Sequence, residues 1–164
     1  MLTTTLLKLK EHKACERGYD LIAAHVGAKF KGDIPLETIL TNNGLKDCIW
    51  ALRTCNAGNT VAIEFSIRVA MLICTDVVWI KWADSWLDNS DRSKDAAYAA
   101  YVTYNKSNNS TDLTNSAAYI AYATHTAYAT YPVLAAYAAN LAYANHVNHI
   151  NSDAAVEILR TLIN

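Results

Sequence analysis

The sequence predicts an all-α fold, a single-domain bundle of about seven to eight helices that spans residues 1–164. Apolar residues recur three and four positions apart along most of the chain, which is the spacing of a helix with one buried face. Only two prolines and five glycines are present to interrupt helices. Alanine, which has the highest helix propensity, dominates the second half. These observations predict short amphipathic helices over residues 1–58, then a long central helix and an Ala/Tyr-rich bundle over residues 59–164.

Two amphipathic helices are predicted within residues 3–30. Residues 3–14 are expected to form a helix that a threonine caps, with Leu6, Leu7 and Leu9 facing inward. In residues 16–30 the apolar positions fall on one helical face, which predicts that this face is buried. That face carries Tyr19, Ile22, Ala23, Val26 and Phe30.

A turn at residues 31–35 leads into the next two helices. Pro35 is expected in the first turn of a short helix over residues 36–41, because its fixed φ suits that position. The run Asn42-Asn43-Gly44 is typical of a helix C-terminus. The following helix is predicted from apolar residues at helical spacing, and a break at residues 56–59 ends it. Those apolar residues are Leu45, Cys48, Ile49, Leu52 and Cys55.

A long central helix is predicted from Thr60 to Asp88, since more than half of its circumference is apolar. Its last turns carry Trp79, Trp82 and Trp86 at positions i, i+3 and i+7, a set that we call the tryptophan ridge. Two interpretations of the ridge stay open. Either the rings cap the core, since tryptophan is usually highly buried, or they anchor a protein partner, since tryptophan is enriched at binding hot spots.

Residues 96–150 contain 16 alanines, nine of the ten tyrosines and only two charged residues, Lys106 and Asp112. Three helices are predicted from this pattern, over residues 91–106, 112–130 and 132–148, and a last helix over residues 153–163. Small side chains let helix backbones approach closely. The alanines spaced for such contacts include Ala117, Ala121, Ala135, Ala138 and Ala142.

The tyrosines of this half are further candidates for contact with a partner. Tyrosine is frequent in antibody paratopes, and a surface with few charges favours association. We therefore expect this half to bind a protein partner or a second copy of the chain. The candidate contact residues, beside the tryptophan ridge, are Tyr98, Tyr101, Tyr119, Tyr122, His125 and Tyr128.

The charge balance argues against two other classes of partner. The chain has 14 basic and 15 acidic residues, and its formal net charge is −1, whereas a nucleic-acid-binding protein shows a basic excess. A membrane span needs about 18 or more uninterrupted apolar residues. The most apolar stretch, residues 61–82, is interrupted by four charged residues. Neither a nucleic acid nor a membrane is expected as a partner.

The cysteines and the N-terminus predict a cytoplasmic location. Cys15, Cys48, Cys55 and Cys74 form no C-x-x-C pair. They are expected on apolar helix faces, where a free cysteine acts as a small hydrophobe. The first residues lack the continuous apolar run of a secretory signal.

No motif in the sequence specifies a reaction. His146 and His149 lie three positions apart on one helix face, but a stable metal site needs three or four ligands. The favoured interpretation of this pair is a polar helix end, and no metal or other cofactor is expected. A small-molecule enzyme that uses His125 and nearby tyrosines stays open as an alternative.

Several stretches resemble an immunity-protein family of bacterial toxin systems, the fifth type, many members of which are encoded by phages. The stretches are residues 82–93 (WADSWLDNSDRS), 96–101 (AAYAAY), 123–127 (ATHTA), 14–19 (ACERGY) and 45–52 (LKDCIWAL). The resemblance covers roughly residues 14–148. It implies a small helical protein that binds and blocks another protein, such as a toxin or a host defence protein.

The function expected from the sequence is therefore that of a non-catalytic, protein-binding inhibitor, in the host cytoplasm if a phage encodes it. The first alternative is a structural component that assembles through a homotypic Ala/Tyr interface. The second alternative is the enzyme built around His125.

Overall fold

The computed structural model describes residues 1–107, 132–146 and 152–164. Within these ranges the chain forms nine α-helices, a 3-10 turn and a two-stranded antiparallel sheet, which confirms the all-α class. The helices are α1 (Leu6–Glu11), α2 (Glu16–Val26), α3 (Leu36–Asn43), α4 (Leu45–Ala51), α5 (Gly58–Met71), α6 (Val77–Leu87), α7 (Lys94–Ser107), α8 (Pro132–His146) and α9 (Ser152–Ile163). The strands are β1 (Thr3–Thr4) and β2 (Ile34–Pro35), and the 3-10 turn is Leu52–Thr54.

The start of α1 confirms the predicted threonine cap and corrects one predicted core position. The Thr5 hydroxyl accepts a hydrogen bond from the Lys8 amide at 3.1 Å. Leu6 and Leu9 are buried, but Leu7 is 66% exposed. The six residues of α1 bury one face of the helix, and Leu7 lies about 100° from Leu6 around the axis.

The sheet was not predicted, and it changes the role of Pro35. Thr3 pairs with Pro35 and Thr4 with Ile34, so Pro35 lies on a strand and directly precedes α3, whose first residue is Leu36. A proline fits here because an edge strand has positions that need no amide donor. The amide of Leu2 also donates to the carbonyl of Ile163 at 2.6 Å, which joins the two ends of the chain.

The helix predicted over residues 16–30 ends earlier, at Val26. Gly27 follows with φ of 95°, a left-handed conformation that glycine adopts without a steric cost. Phe30 therefore lies beyond the helix and is 41% exposed, so its predicted place on the buried face was wrong. Ile22 and Ala23 are buried as predicted.

The long helix predicted over residues 60–88 is two helices, which is one reason why the described ranges hold more helices than predicted. The chain breaks between Met71 and Val77. The Asp76 carboxylate accepts a hydrogen bond from the Trp79 amide at 2.8 Å, which makes Asp76 the N-cap of α6. Aspartate favours such caps over helix interiors because its side chain bonds to nearby amides.

The first of these two helices, α5, is the centre of the fold. It packs on α6, α8, α9 and the 3-10 turn, and its contact with α8 is the most extensive between any two described helices. Ala62, Ser66 and Ala70 are buried at positions i, i+4 and i+8 of α5, and Ala136 and Ala139 are buried on α8. Side chains of this size permit a short distance between helix axes. The side chains of Ala135, Ala138 and Ala142, and all of Ala117 and Ala121, lie outside the described part of the chain.

The junction before α5 depends on a missing side chain. Gly58 is buried, and a Cβ atom added to it would overlap the carbonyl oxygen of Leu52 in the 3-10 turn. Backbone atoms cannot move aside as a flexible side chain can. A glycine is therefore required where α5 starts against the 3-10 turn.

We predict that Gly58→Ala lowers the free energy of unfolding by about 1–3 kcal/mol, the usual effect of overpacking. The added methyl group displaces the Leu52 backbone. Urea denaturation, monitored by far-ultraviolet circular dichroism, measures this loss of unfolding free energy. Asn59→Ala is the control, since Asn59 is exposed in the same turn and alanine favours the helix. Equal stability of the two variants would contradict the close approach.

Candidate functional site

The tryptophan ridge is buried, as its core interpretation predicts. Trp79, Trp82 and Trp86 are 1%, 6% and 2% exposed. The rings of Trp79 and Trp82 meet edge to face with centroids 5.5 Å apart. The guanidinium carbon of Arg92 lies 4.0 Å from the centroid of the Trp86 ring, and Arg92 Nε donates to the Trp86 carbonyl at 2.8 Å. In this fold the ridge presents little surface to a partner.

The remaining candidate contact residues fall into two groups. Tyr98 is 56% exposed on α7, and Tyr101 is half-buried one turn later. Tyr119, Tyr122, His125 and Tyr128 lie outside the described residues. The alternative of an enzyme built around His125 therefore rests on sequence alone.

A pocket of about 310 Å³ lies where α2, α4 and α8 meet. We call it the α4–α8 pocket. Its walls are mostly apolar, and the side chains that form them include Leu9, Tyr19, Ile39, Ile49, Val133 and Tyr137. Ligand sites are typically concave, apolar and about 300–1,000 Å³ in volume. Its volume lies within this range and its lining is apolar, which makes the pocket a candidate ligand site in the described part of the chain.

Close contacts at the start of α2 fix one side of this pocket. Asn43 Nδ2 donates to the Gly18 carbonyl at 2.8 Å and to Asp47 Oδ2 at 3.1 Å. A Cβ atom on Gly18 would come within 2.9 Å of Asp47 Oδ2 and 3.2 Å of Cys15 Sγ. A glycine at this position thus lets α2 lie against the junction between α3 and α4.

Two cations line the pocket, and each lies over an aromatic ring. The guanidinium carbon of Arg53 is 4.8 Å from the centroid of the Trp50 ring, and Lys46 Nζ is 5.6 Å from that of Tyr137. Burial lowers the pKa of the Arg53 guanidinium. Among the described residues, neither cation forms an ion pair, and the buried Nε of Arg53 finds no acceptor.

The four cysteines were predicted on apolar helix faces, but only Cys48 lies within a helix, on the buried side of α4. Cys15 precedes α2, Cys55 follows the 3-10 turn and Cys74 lies between α5 and α6, so the prediction was wrong for these three. Cys48 and Cys74 are buried, and Cys55 is half-buried. Burial raises the pKa of the Cys48 and Cys55 thiols, and neighbouring negative groups raise that of Cys48 further. Cys15 is exposed rather than on an apolar face. It caps α2 by accepting a hydrogen bond from the Gly18 amide at 3.4 Å.

The described ranges hold neither a cluster of metal-ligating side chains nor a helix that could span a membrane. They bring together no group of three His, Cys, Asp or Glu side chains that could hold a metal ion. Among their helices, none combines the length and the apolar character needed to cross a bilayer. His149 and the side chain of His146 lie outside the described part of the chain.

Sequence reasoning missed the α4–α8 pocket. The local sequence signal for the pocket is weak. It consists of Trp50 and Arg53, which lie three positions apart next to the apolar residues of α4. The opposite wall comes from Val133 and Tyr137, 80 or more positions further along the chain. Such a pairing depends on tertiary packing and leaves no local pattern.

Comparison of this chain with protein-family models, curated proteins and solved structures finds no match. The resemblance to immunity proteins therefore stays a prediction.

We predict that the tryptophan ridge is shielded from solvent. The variant Trp50→Phe leaves the ridge as the only source of tryptophan fluorescence, since the chain has four tryptophans. Because the three rings are buried, acrylamide should quench the emission several-fold less than in the same variant unfolded in urea. Equal quenching of the folded and unfolded variant would contradict the burial and favour the anchor interpretation.

Proposed function

We propose that this chain is a non-catalytic binding protein that recognises a protein partner through the α4–α8 pocket. In this proposal one apolar side chain of the partner enters the pocket. Binding blocks the partner, in the manner of the immunity proteins that the sequence resembles. The protein acts in the cytoplasm, where its four free cysteines suit a reducing environment.

The observation that carries the proposal is the preformed apolar pocket of about 310 Å³. Its volume lies at the lower end of the range for small-molecule sites, about 300–1,000 Å³. A volume of this size suits a single side chain of a partner, and binding hot spots are typically such side chains held in desolvated pockets.

The surroundings of the pocket also suit a protein partner. Leu134 lines the pocket and is exposed, as is Leu141 two turns later on the same face of α8. Tyr137, between them, is half-buried. An apolar pocket beside an exposed apolar stripe is the arrangement expected of an anchor site with surrounding contacts.

The proposal is tested by affinity capture from the source cell with the full chain and two variants. Ala14→Phe should fill the pocket, because Ala14 is half-buried and lines it. Ala24→Phe is the matched control, since Ala24 is exposed on α2 and lies outside the lining. We expect a protein that the parent and Ala24→Phe capture and that Ala14→Phe loses. Capture of the same proteins by all three chains would overturn the proposal.

A second candidate function, assembly through a homotypic interface, is favoured by the exposed Leu134 and Leu141 of the Ala/Tyr-rich helix α8. If this interface exists, affinity capture with a tagged copy of the chain should recover untagged copies of the same chain. Leu141→Glu should abolish this recovery, because it places a charge on the stripe without touching the pocket lining. Recovery unchanged by Leu141→Glu would rule out this stripe as the interface.

A further inference from the structure

We propose that the partner segment held in the α4–α8 pocket carries a carboxylate next to its apolar side chain, and that Arg53 binds this carboxylate. The inference rests on the proposed function and specifies its ligand as an acidic peptide segment with an apolar or aromatic anchor.

The charges of the lining support an anionic ligand. Lys46 and Arg53 contribute two positive charges, and Asp47 contributes one negative charge. The Asp47 carboxylate is already engaged, because its Oδ2 accepts from Asn43 Nδ2 at 3.1 Å. The two cations have no ion-pair partner in the described ranges. An incoming carboxylate would therefore meet an uncompensated positive charge.

Arg53 also has unused hydrogen-bonding capacity. Within the described chain its guanidinium donates no hydrogen bond, and its buried Nε has no acceptor. The ring of Trp50 occupies one face of the guanidinium at 4.8 Å, while the donors of an arginine point outward in the plane of the group. A carboxylate is the acceptor whose geometry matches this planar fork.

The size of the pocket favours a peptide over a free lipid anion. The volume of about 310 Å³ lies at the lower limit for a small-molecule site. An aromatic side chain is compact and loses little conformational freedom on binding, whereas a long acyl chain loses more freedom and needs a longer cavity. The carboxylate is therefore assigned to an acidic residue that neighbours the anchor.

Defined peptides test this inference by nuclear magnetic resonance titration of the full chain. The probes are N-acetyl-Ser-Phe-Glu-Ser-amide and the same peptide with Gln in place of Glu. The amides of Gly18, Ala51 and Tyr137 report binding, since these residues line the pocket. We expect the Glu peptide to bind about fivefold more tightly, a modest factor because the cation is only half-buried.

Three substitutions isolate the role of Arg53. Arg53→Gln should remove the preference, so that the Glu and Gln peptides bind this variant with equal affinity. Arg53→Lys keeps the positive charge and should retain part of the preference. Lys29→Gln is the control for net charge, because Lys29 is exposed and lies outside the lining. It should leave both affinities as they are in the parent.

The outcomes separate the inference from the proposed function. Equal binding of both peptides to the parent, with both lost in Ala14→Phe, would overturn the role of Arg53 and keep the pocket as an anchor site. If neither peptide shifts the pocket amides, both the inference and the proposed function are overturned. Tighter binding of decanoate than of the Glu peptide, sensitive to Arg53→Gln, would overturn the choice of a peptide in favour of a lipid anion.

Discussion

Two helices that are distant in the chain, α5 and α8, pack along each other, and small buried side chains let their backbones approach. Ala62, Ser66 and Ala70 form the small positions of α5, and Ala136 and Ala139 form those of α8. The Ser66 hydroxyl is satisfied inside this core by the Ala62 carbonyl at 2.8 Å. A buried polar group without a partner would have offset part of the packing energy.

The pocket follows from the position of α8. One side of this helix faces α5, and Val133, Leu134 and Tyr137 line the pocket together with residues of α4. Two structural glycines act on the other elements around the pocket: Gly58 lets α5 begin against the 3-10 turn that carries Arg53, and Gly18 lets α2 approach the junction of α3 and α4. The proposed recognition site is thus built from the same contacts that stabilise the fold.

Local patterns predicted the features that depend on local physics. The helical class, the threonine cap of α1 and the stop at Asn43 and Gly44 follow from periodicity and capping, and the structure confirms them. The continuous helix over residues 60–88 was wrong because apolar spacing runs through residues 72–76, where the cap formed by Asp76 restarts the helix. The pocket was missed because its walls meet only through packing.

The Ala/Tyr composition correctly predicted helices where the structure describes this half, in α7 and α8, whereas the helix predicted over residues 112–130 lies outside the described residues. It drew attention to tyrosines, whereas the pocket combines Tyr137 with Arg53 and Lys46 from a different part of the chain.

The most direct test of the link between helix packing and the α4–α8 pocket is the variant Ala136→Leu, with the exposed Ala24→Leu as its control. We expect Ala136→Leu alone to lose about 1–3 kcal/mol of unfolding free energy in urea. We also expect it to bind the phenylalanine–glutamate peptide more weakly, although Ala136 does not line the pocket. Stability and affinity equal to those of the control would contradict the dependence of the pocket on the packing of α8 against α5.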